Sequence, residues 1–156
     1  WNRAMHMVKN GEADAIFSLY KTKEREEFLL FPTHPLNDET NVIIVPKESA
    51  LRAGSLDDMK KWRVGVVQDY SYGENFDNYA AIVKEALTDN EQLLRKLEGG
   101  RLEAVIINKK VFFNLQADEK VKIIYTVNTE ALFVAFSKKS TKAQRLVSQF
   151  SRHLPR

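Results

Sequence analysis

Cysteine is missing from all 156 residues. That excludes disulfides, thiolate nucleophiles and cysteine-based metal sites, and it fits any compartment. Histidine is scarce, and His6, His34 and His153 are far apart with no metal-ligand spacing. No apolar run approaches the ~18 residues that span a bilayer. There is no phosphate-binding P-loop, no Gly-x-Ser-x-Gly elbow and no Gly-x-Gly-x-x-Gly. Gly99-Gly100 reads as a turn, and Asp57-Asp58 as helix N-terminal charge. No nucleophile–base pair, cofactor motif or metal motif emerges, so the expected cofactor is none. No internal repeat or low-complexity tract is present.

Acids are absent from residues 131–156, which carry Lys138, Lys139, Lys142, Arg145, Arg152 and Arg156. The net charge is +3, so the rest of the chain is net negative. A basic tail can meet nucleic acid or an anionic membrane, but a solvated helix face is the plainer reading. No aromatic residues alternate with these cations as base-stacking platforms, so no nucleic-acid partner is expected.

Hydrophobic residues make up 44% of the chain and charged residues 29%, a globular balance. The length suits one ordinary domain or two small lobes. The chain opens at Trp1 without an initiator methionine or a visible signal peptide, so it is expected to begin inside a longer protein.

Apolar strands alternate with helices. Trp1, Ala4, Met5 and Val8 form a helical stripe stopped by Gly11. "DAIFS" (14–18) reads as a buried strand. Thr22 caps a short helix that ends near Glu27, and "FLLF" is a second strand closed by Pro32. Residues 32–41 read as a connection, and "NVIIV" (41–45) as a buried strand. Ser55 with Asp58 resembles a capping box. "RVGVV" (63–67) is a strand followed by the polar, aromatic turn "QDYSYGENF". "AIVKEAL" (81–87) fits either a strand or a helix end. Asp89 or Asn90 opens the helix "EQLLRKL". "RLEAVII" is a strand and "KKVFFNL" a short helix. "KVKIIYT" (120–126) and "ALFVAFS" (131–137) are two strands, and Thr141 is the candidate cap of the last helix. This pattern predicts an α/β protein with a mostly parallel sheet covered on both faces.

The order of motifs adds a further reading. "W-x-R-A-x-x-M-V-x-x-G-E-A-D-A-I-F-S", "K-T-x-E-R-E-x-F-L-x-F-P", "S-L-D-D-M-K-x-W-R-V-G-V-V-Q" and "G-R-L-E-A-V-I" follow one another from Trp1 to about Phe150. Together they resemble the extracellular solute-binding protein family 3, the amino-acid-type receptors of ABC importers. The resemblance implies a periplasmic-binding-protein-like two-lobe α/β fold with one complete lobe and part of the other. Residues 1–40 would be the latter part of lobe 1 and 41–46 the first hinge crossing. Residues 47–128 would be lobe 2, and 129–156 the return crossing and a final helix docking on lobe 1. A partial lobe would leave apolar sheet surface exposed, which predicts a partner chain, a homo-oligomer or a domain swap.

The resemblance also implies roles for single residues. Arg25, in Thr-x-x-Arg, would pair with a ligand carboxylate, and its planar fork suits that task. A cation at the start of a helix is mildly unfavourable unless an anion visits. Ser18 and Thr22 would add polar contacts, Thr22 also serving as a plain N-cap. Ser71 and Tyr72 would be presented by the loop after "VGVV", with Tyr20 and Tyr70 as further candidate walls. Asp69 stands where the family commonly has glycine. Asn108 stands where many members place an aspartate for the ligand ammonium. Glu103 reads as a solvent-facing strand end.

The function implied is non-catalytic binding of a small, polar, carboxylate-bearing solute in an interlobe cleft. Delivery would be to an ABC permease, outside the cell or in the periplasm. The alternatives are the ligand-sensing outer domain of a signalling receptor, a module fused to an enzyme, and a truncated module without binding activity.

Overall fold

The computed structural model describes residues 1–116 and 119–154. Pro155 and Arg156, the end of the predicted final segment, lie outside the described residues, as do Ala117 and Asp118 within the predicted second lobe. The chain divides into two compact units. The first comprises Trp1–Glu39 and Glu130–Arg156, the second Thr40–Thr129.

In the first unit, α1 (Asn2–Asn10) ends at Gly11, whose φ of 81° is left-handed. Its N–H closes the helix on the Val8 carbonyl. Strand β1 (Ala15–Tyr20), helix α2 (Lys23–Glu26) and strand β2 (Leu29–Leu30) follow. The C-terminal half of β7 (Val121–Ser137) returns through this unit and pairs antiparallel with both β1 and β2. Its core has two parts. Val8, Ile16, Leu19, Leu29 and Ala135 pack on one side. Val134, Phe136 and Ala143 pack on the other, with Leu146, Val147 and Phe150 of α6 (Ala143–His153). These are successive positions of β7, so the period-2 alternation of a strand separates the two layers.

The second unit begins within β3 (Asn37–Pro46). A 3₁₀ turn at Leu56–Met59 follows, then β4 (Arg63–Val67), α3 (Glu74–Asp77) and β5 (Val83–Leu87). Helix α4 (Asn90–Glu98), β6 (Ala104–Asn108) and α5 (Lys109–Asn114) complete it. The strand order is β7-β3-β6-β4-β5. Val42, Ile44, Val105 and Ile107 face a cluster with Leu93, Leu97 and Phe112. Ile43, Val45, Ala104 and Ile106 face the opposite cluster with Met59, Tyr72 and Phe76. Both faces are covered, which explains why these strands read as unbroken apolar runs.

Several expectations change. The sheet is not mostly parallel: β4 pairs parallel with β5 and β6, while β3–β6, β1–β7 and β2–β7 are antiparallel. The parallel pairs β4–β5 and β4–β6 join strands linked by crossovers in the second unit, and β7 runs back through the first unit. The two strands predicted at 120–126 and 131–137 are one 17-residue strand. The connection predicted at 32–41 already contains the start of β3. "AIVKEAL" resolves as a strand, because Val83–Leu87 finds a parallel partner in β4. Thr141 is not the cap of α6: the N-cap is Lys142, with no side-chain cap bond. The Ser140 hydroxyl instead accepts from the Lys142 N–H, one residue before the helix.

Candidate functional site

In the first unit the predicted residues gather around the end of β1. The register with β7 slips between Ile16 and Leu19, so β1 carries one extra residue there. Ser18 sits in this bulge with a φ of 58°, left-handed and unusual for a side-chain-bearing residue. Ser18 is exposed, and Phe17 beside it is 57% exposed. Bulges re-aim side chains and cluster near binding sites, and strain of this kind persists where the surroundings enforce it.

Thr22 caps α2, its Oγ1 accepting from the Arg25 N–H at 3.3 Å. Arg25 is half-buried, and its Nη1 donates to the Tyr20 carbonyl at 2.8 Å. The guanidinium carbon lies 5.8 Å from the centre of the Trp1 ring, a cation–π distance. Tyr20, Thr22 and Arg25 thus belong to one local arrangement, with Ser18 two residues before Tyr20 on the same strand. Tyr20 in turn donates its hydroxyl to Glu39 Oε2 at 2.6 Å. Glu39 is only 5% exposed.

In the second unit, residues 68–73 leave β4 as a folded loop. Asp69 has a φ of 61°, also left-handed. Asp69 is the residue that stands where glycine is common in the family the sequence resembles, and its backbone has the conformation that glycine favours. Asp77 of α3 braces the loop with both carboxylate oxygens. It accepts from Ser71 Oγ at 2.6 Å and from the Tyr72 N–H at 3.0 Å. Lys84 donates to the Asp77 carbonyl at 2.8 Å, and burial lowers its ammonium below the ordinary lysine value, opposed by the Asp77 charge. Val66, Asp69, Tyr70, Ser71, Phe76 and Lys84 border an open depression of about 410 Å³.

Tyr72 is 2% exposed, and its ring belongs to the core, packed edge-on to Phe76. Its hydroxyl accepts from the Val67 N–H at 3.0 Å, tying the loop back to β4. Asn108 is the N-cap of α5, its Oδ1 accepting from the N–H groups of Lys110 (2.8 Å) and Val111 (3.1 Å). Ser71 and Tyr72 are brought together in one loop. Asn108 stands on a different element, at the end of β6.

Sequence reasoning did not single out Glu39, Asn41, Asp77 or Asn128. Asn41 is fully buried and donates from Nδ2 to Asn128 Oδ1 at 3.1 Å. Asn128 Nδ2 donates to the Tyr72 carbonyl at 2.7 Å. Asn41 alone carried an advance signal, a polar residue at the edge of the run 42–45, and loops share that pattern.

Glu103 is tied to Arg63 by two side-chain bonds of 3.2 and 3.1 Å and by the Arg63 N–H at 2.7 Å. The guanidinium bond, above all, holds the Glu103 carboxyl below its usual range. Of the basic tail, Lys138 donates to the Glu26 and Glu27 carbonyls, and Lys142 pairs with Asp14 at 3.3 Å. Among the described residues no three His, Asp or Glu side chains are placed to hold a metal ion. No helix among them is long and apolar enough to cross a membrane.

No protein-family model and no curated protein matches the chain. Solved structures do. The arginine-binding protein of T. maritima in its holo form superposes with a TM-score of 0.81 at 20% identity, over 99% of this chain and 69% of that one. An amino acid ABC transporter substrate-binding protein from Streptococcus pneumoniae, bound to L-arginine, gives 0.75 at 24%, over 98% and 67%. A histidine kinase sensor domain similar to periplasmic binding proteins gives 0.78 at 15%, over 99% and 68%. At these identities the likeness concerns architecture, and the chain has the α/β fold of the periplasmic-binding-protein type.

Proposed function

We propose that the chain is a non-catalytic binding module for a small, polar, carboxylate-bearing solute of amino-acid type. The observation that carries this reading is Arg25. One edge of its guanidinium is fixed by the Tyr20 carbonyl, on the strand that also carries an exposed, bulged Ser18. A pre-oriented guanidinium is a planar, permanently charged fork that matches a carboxylate in two places. Ser18 and Thr22 are the proposed polar contacts of the same unit. In the second unit, Ser71, in the loop shaped by the buried Tyr72, and Asn108 are further proposed polar contacts. The solved structures named above as binding proteins support the reading, and one of them is bound to L-arginine.

Delivery to an ABC permease, outside the cytoplasm, is the proposed setting. The histidine kinase sensor domain favours a second setting, in which the same module reports its ligand to a signalling partner. The gene sequence beyond Arg156 separates the two: a transmembrane run there supports the sensor.

A thermal-shift screen against amino acids, small carboxylates and amines tests the binding claim. A ligand at a hundred times its Kd adds about 2.7 kcal/mol to stability, enough to raise the melting temperature by several degrees. The proposal expects shifts from α-amino acids and not from amines that lack a carboxylate. Shifts from amines alone, or from nothing in the set, would count against it.

A further inference from the structure

A carboxylate as enclosed as that of Glu39 is costly to keep unless its hydrogen bonds are good. Glu39 is the last residue of the first unit before β3 continues into the second. Its Oε2 receives the Tyr20 hydroxyl at 2.6 Å, within the short range of charge-assisted O–H···O bonds. Tyr20 is also the residue whose carbonyl receives Arg25 Nη1 at 2.8 Å. A single residue at the end of β1 is therefore held from one side by a buried acid, and itself holds a guanidinium from the other.

The geometry points to Glu39 as a positioning residue for Arg25, acting through Tyr20. Fixing the phenol fixes where the last residue of β1 lies, and so where its carbonyl lies. The carbonyl takes one edge of the guanidinium and sets the direction in which the rest of the fork points. The order of the relay is Glu39 carboxylate, Tyr20 hydroxyl, Tyr20 carbonyl, Arg25 guanidinium. Glu39 needs no contact with any ligand in this scheme. The inference rests on the reading of Arg25 as the anion contact only for its functional consequence, because the structural coupling exists in the protein by itself.

The alternative is that the Tyr20–Glu39 bond is a local stability feature with no bearing on Arg25. The two separate in a readout on the guanidinium itself. Nitrogen-15 NMR of the full chain with labelled arginine reports rotation about the Cζ–Nε bond of Arg25, assigned by its loss in Arg25→Ala. The variants are Tyr20→Phe, Glu39→Gln and the double variant Tyr20→Phe/Glu39→Leu. The double variant replaces both partners of this bond with apolar groups, a change that is nearly neutral in favourable cases, and its backbone amide spectrum shows whether it is folded. The positioning role predicts restricted rotation in the parent chain and faster rotation in all three variants, while backbone amide spectra away from residues 15–45 stay the same. Unchanged Arg25 signals in the folded double variant would overturn it.

Acetate, the simplest carboxylate probe, supplies the functional arm. Saturable movement of the Arg25 signals in the parent, about three- to tenfold weaker in the double variant, is the expected result for losing one hydrogen bond's worth of orientation. If the Arg25 signals ignore acetate in the parent but rotation still loosens in the variants, the anion-contact reading fails and the positioning role stands. If both the Arg25 rotation and the acetate affinity are the same in parent and double variant, the positioning role fails and the anion contact stands.

Discussion

Asn128 of β7 donates its side-chain amide to the Tyr72 carbonyl at 2.7 Å while accepting from Asn41 Nδ2 at 3.1 Å. The loop after β4 is thus tied to β7 by a half-buried amide that is itself held by the buried Asn41, as well as being braced by Asp77. Asn128→Ala removes both bonds, one from the Asn41 amide and one from the Tyr72 carbonyl. Losing a buried partner typically costs ~1–3 kcal/mol. Chemical denaturation should show a loss in that range, and amide exchange should quicken at residues 70–73 more than in β5.

Asp69 tests the strain in the same loop. A left-handed residue with a side chain costs roughly 1–2 kcal/mol, whereas the extra chain entropy of glycine costs roughly 0.5–1. Strain relief at least matches that cost, so Asp69→Gly should stabilise the chain by roughly 0–1.5 kcal/mol. A lowered denaturation midpoint would show that the Asp69 side chain contributes more than its backbone costs.

Gly65 tests the core beneath that loop. A Cβ built there would lie 2.6 Å from Leu93 Cδ2, 2.7 Å from Leu102 Cδ1 and 3.1 Å from Val105 Cγ2. All three neighbours are buried, so they have little room to move aside. Gly65→Ala should destabilise by about 1–3 kcal/mol, the usual range for overpacking. Thermal melting that matches the parent would mean that α4 shifts freely on the sheet.

Acid should unfold the chain in a defined window. The carboxyls of Glu103, Asp58, Asp89 and Asp14 lie below their ordinary values, held there chiefly by hydrogen bonds to Arg63, Gly54, Gln92 and Ser140. A depressed folded value means that the stabilisation is full above the ordinary value and fades as pH falls through the folded one. The melting temperature should therefore hold between pH 7 and 5 for these groups, then fall below about 4.5, the ordinary value for Glu103. Glu103→Gln should flatten part of that fall. These groups are well solvated, so each contributes modestly.

The fold's local pieces were legible because they depend on local signals. "RVGVV" spans β4 as expected, Thr22 caps α2, and Asp58 receives the Ser55 N–H at 2.9 Å as its capping pattern predicts. What escaped was tertiary. Residues 37–40 look like loop, since nothing local shows that Glu39 is buried against Tyr20. Tyr72 sits in a polar turn, where no periodicity says which way a ring faces, and the brace from Asp77 turns it into the core. Thr141 looked like a cap because threonine often is one, but the turn at Ser140 starts the helix at a different residue. The left-handed backbone at Ser18 could not be read either, because serine carries no signal for it.

The central claim is that Arg25 is the anion contact of a binding module. Calorimetric titration of the best carboxylate ligand from the thermal-shift screen, into the parent chain and into Arg25→Ala, tests it most directly. Removing one partner of a desolvated charge pair costs ~2–5 kcal/mol, which is roughly a thirtyfold to several-thousand-fold rise in Kd. Arg25→Lys should also weaken binding, because a point charge lacks the fork. A Kd unchanged in a folded Arg25→Ala chain would contradict the account.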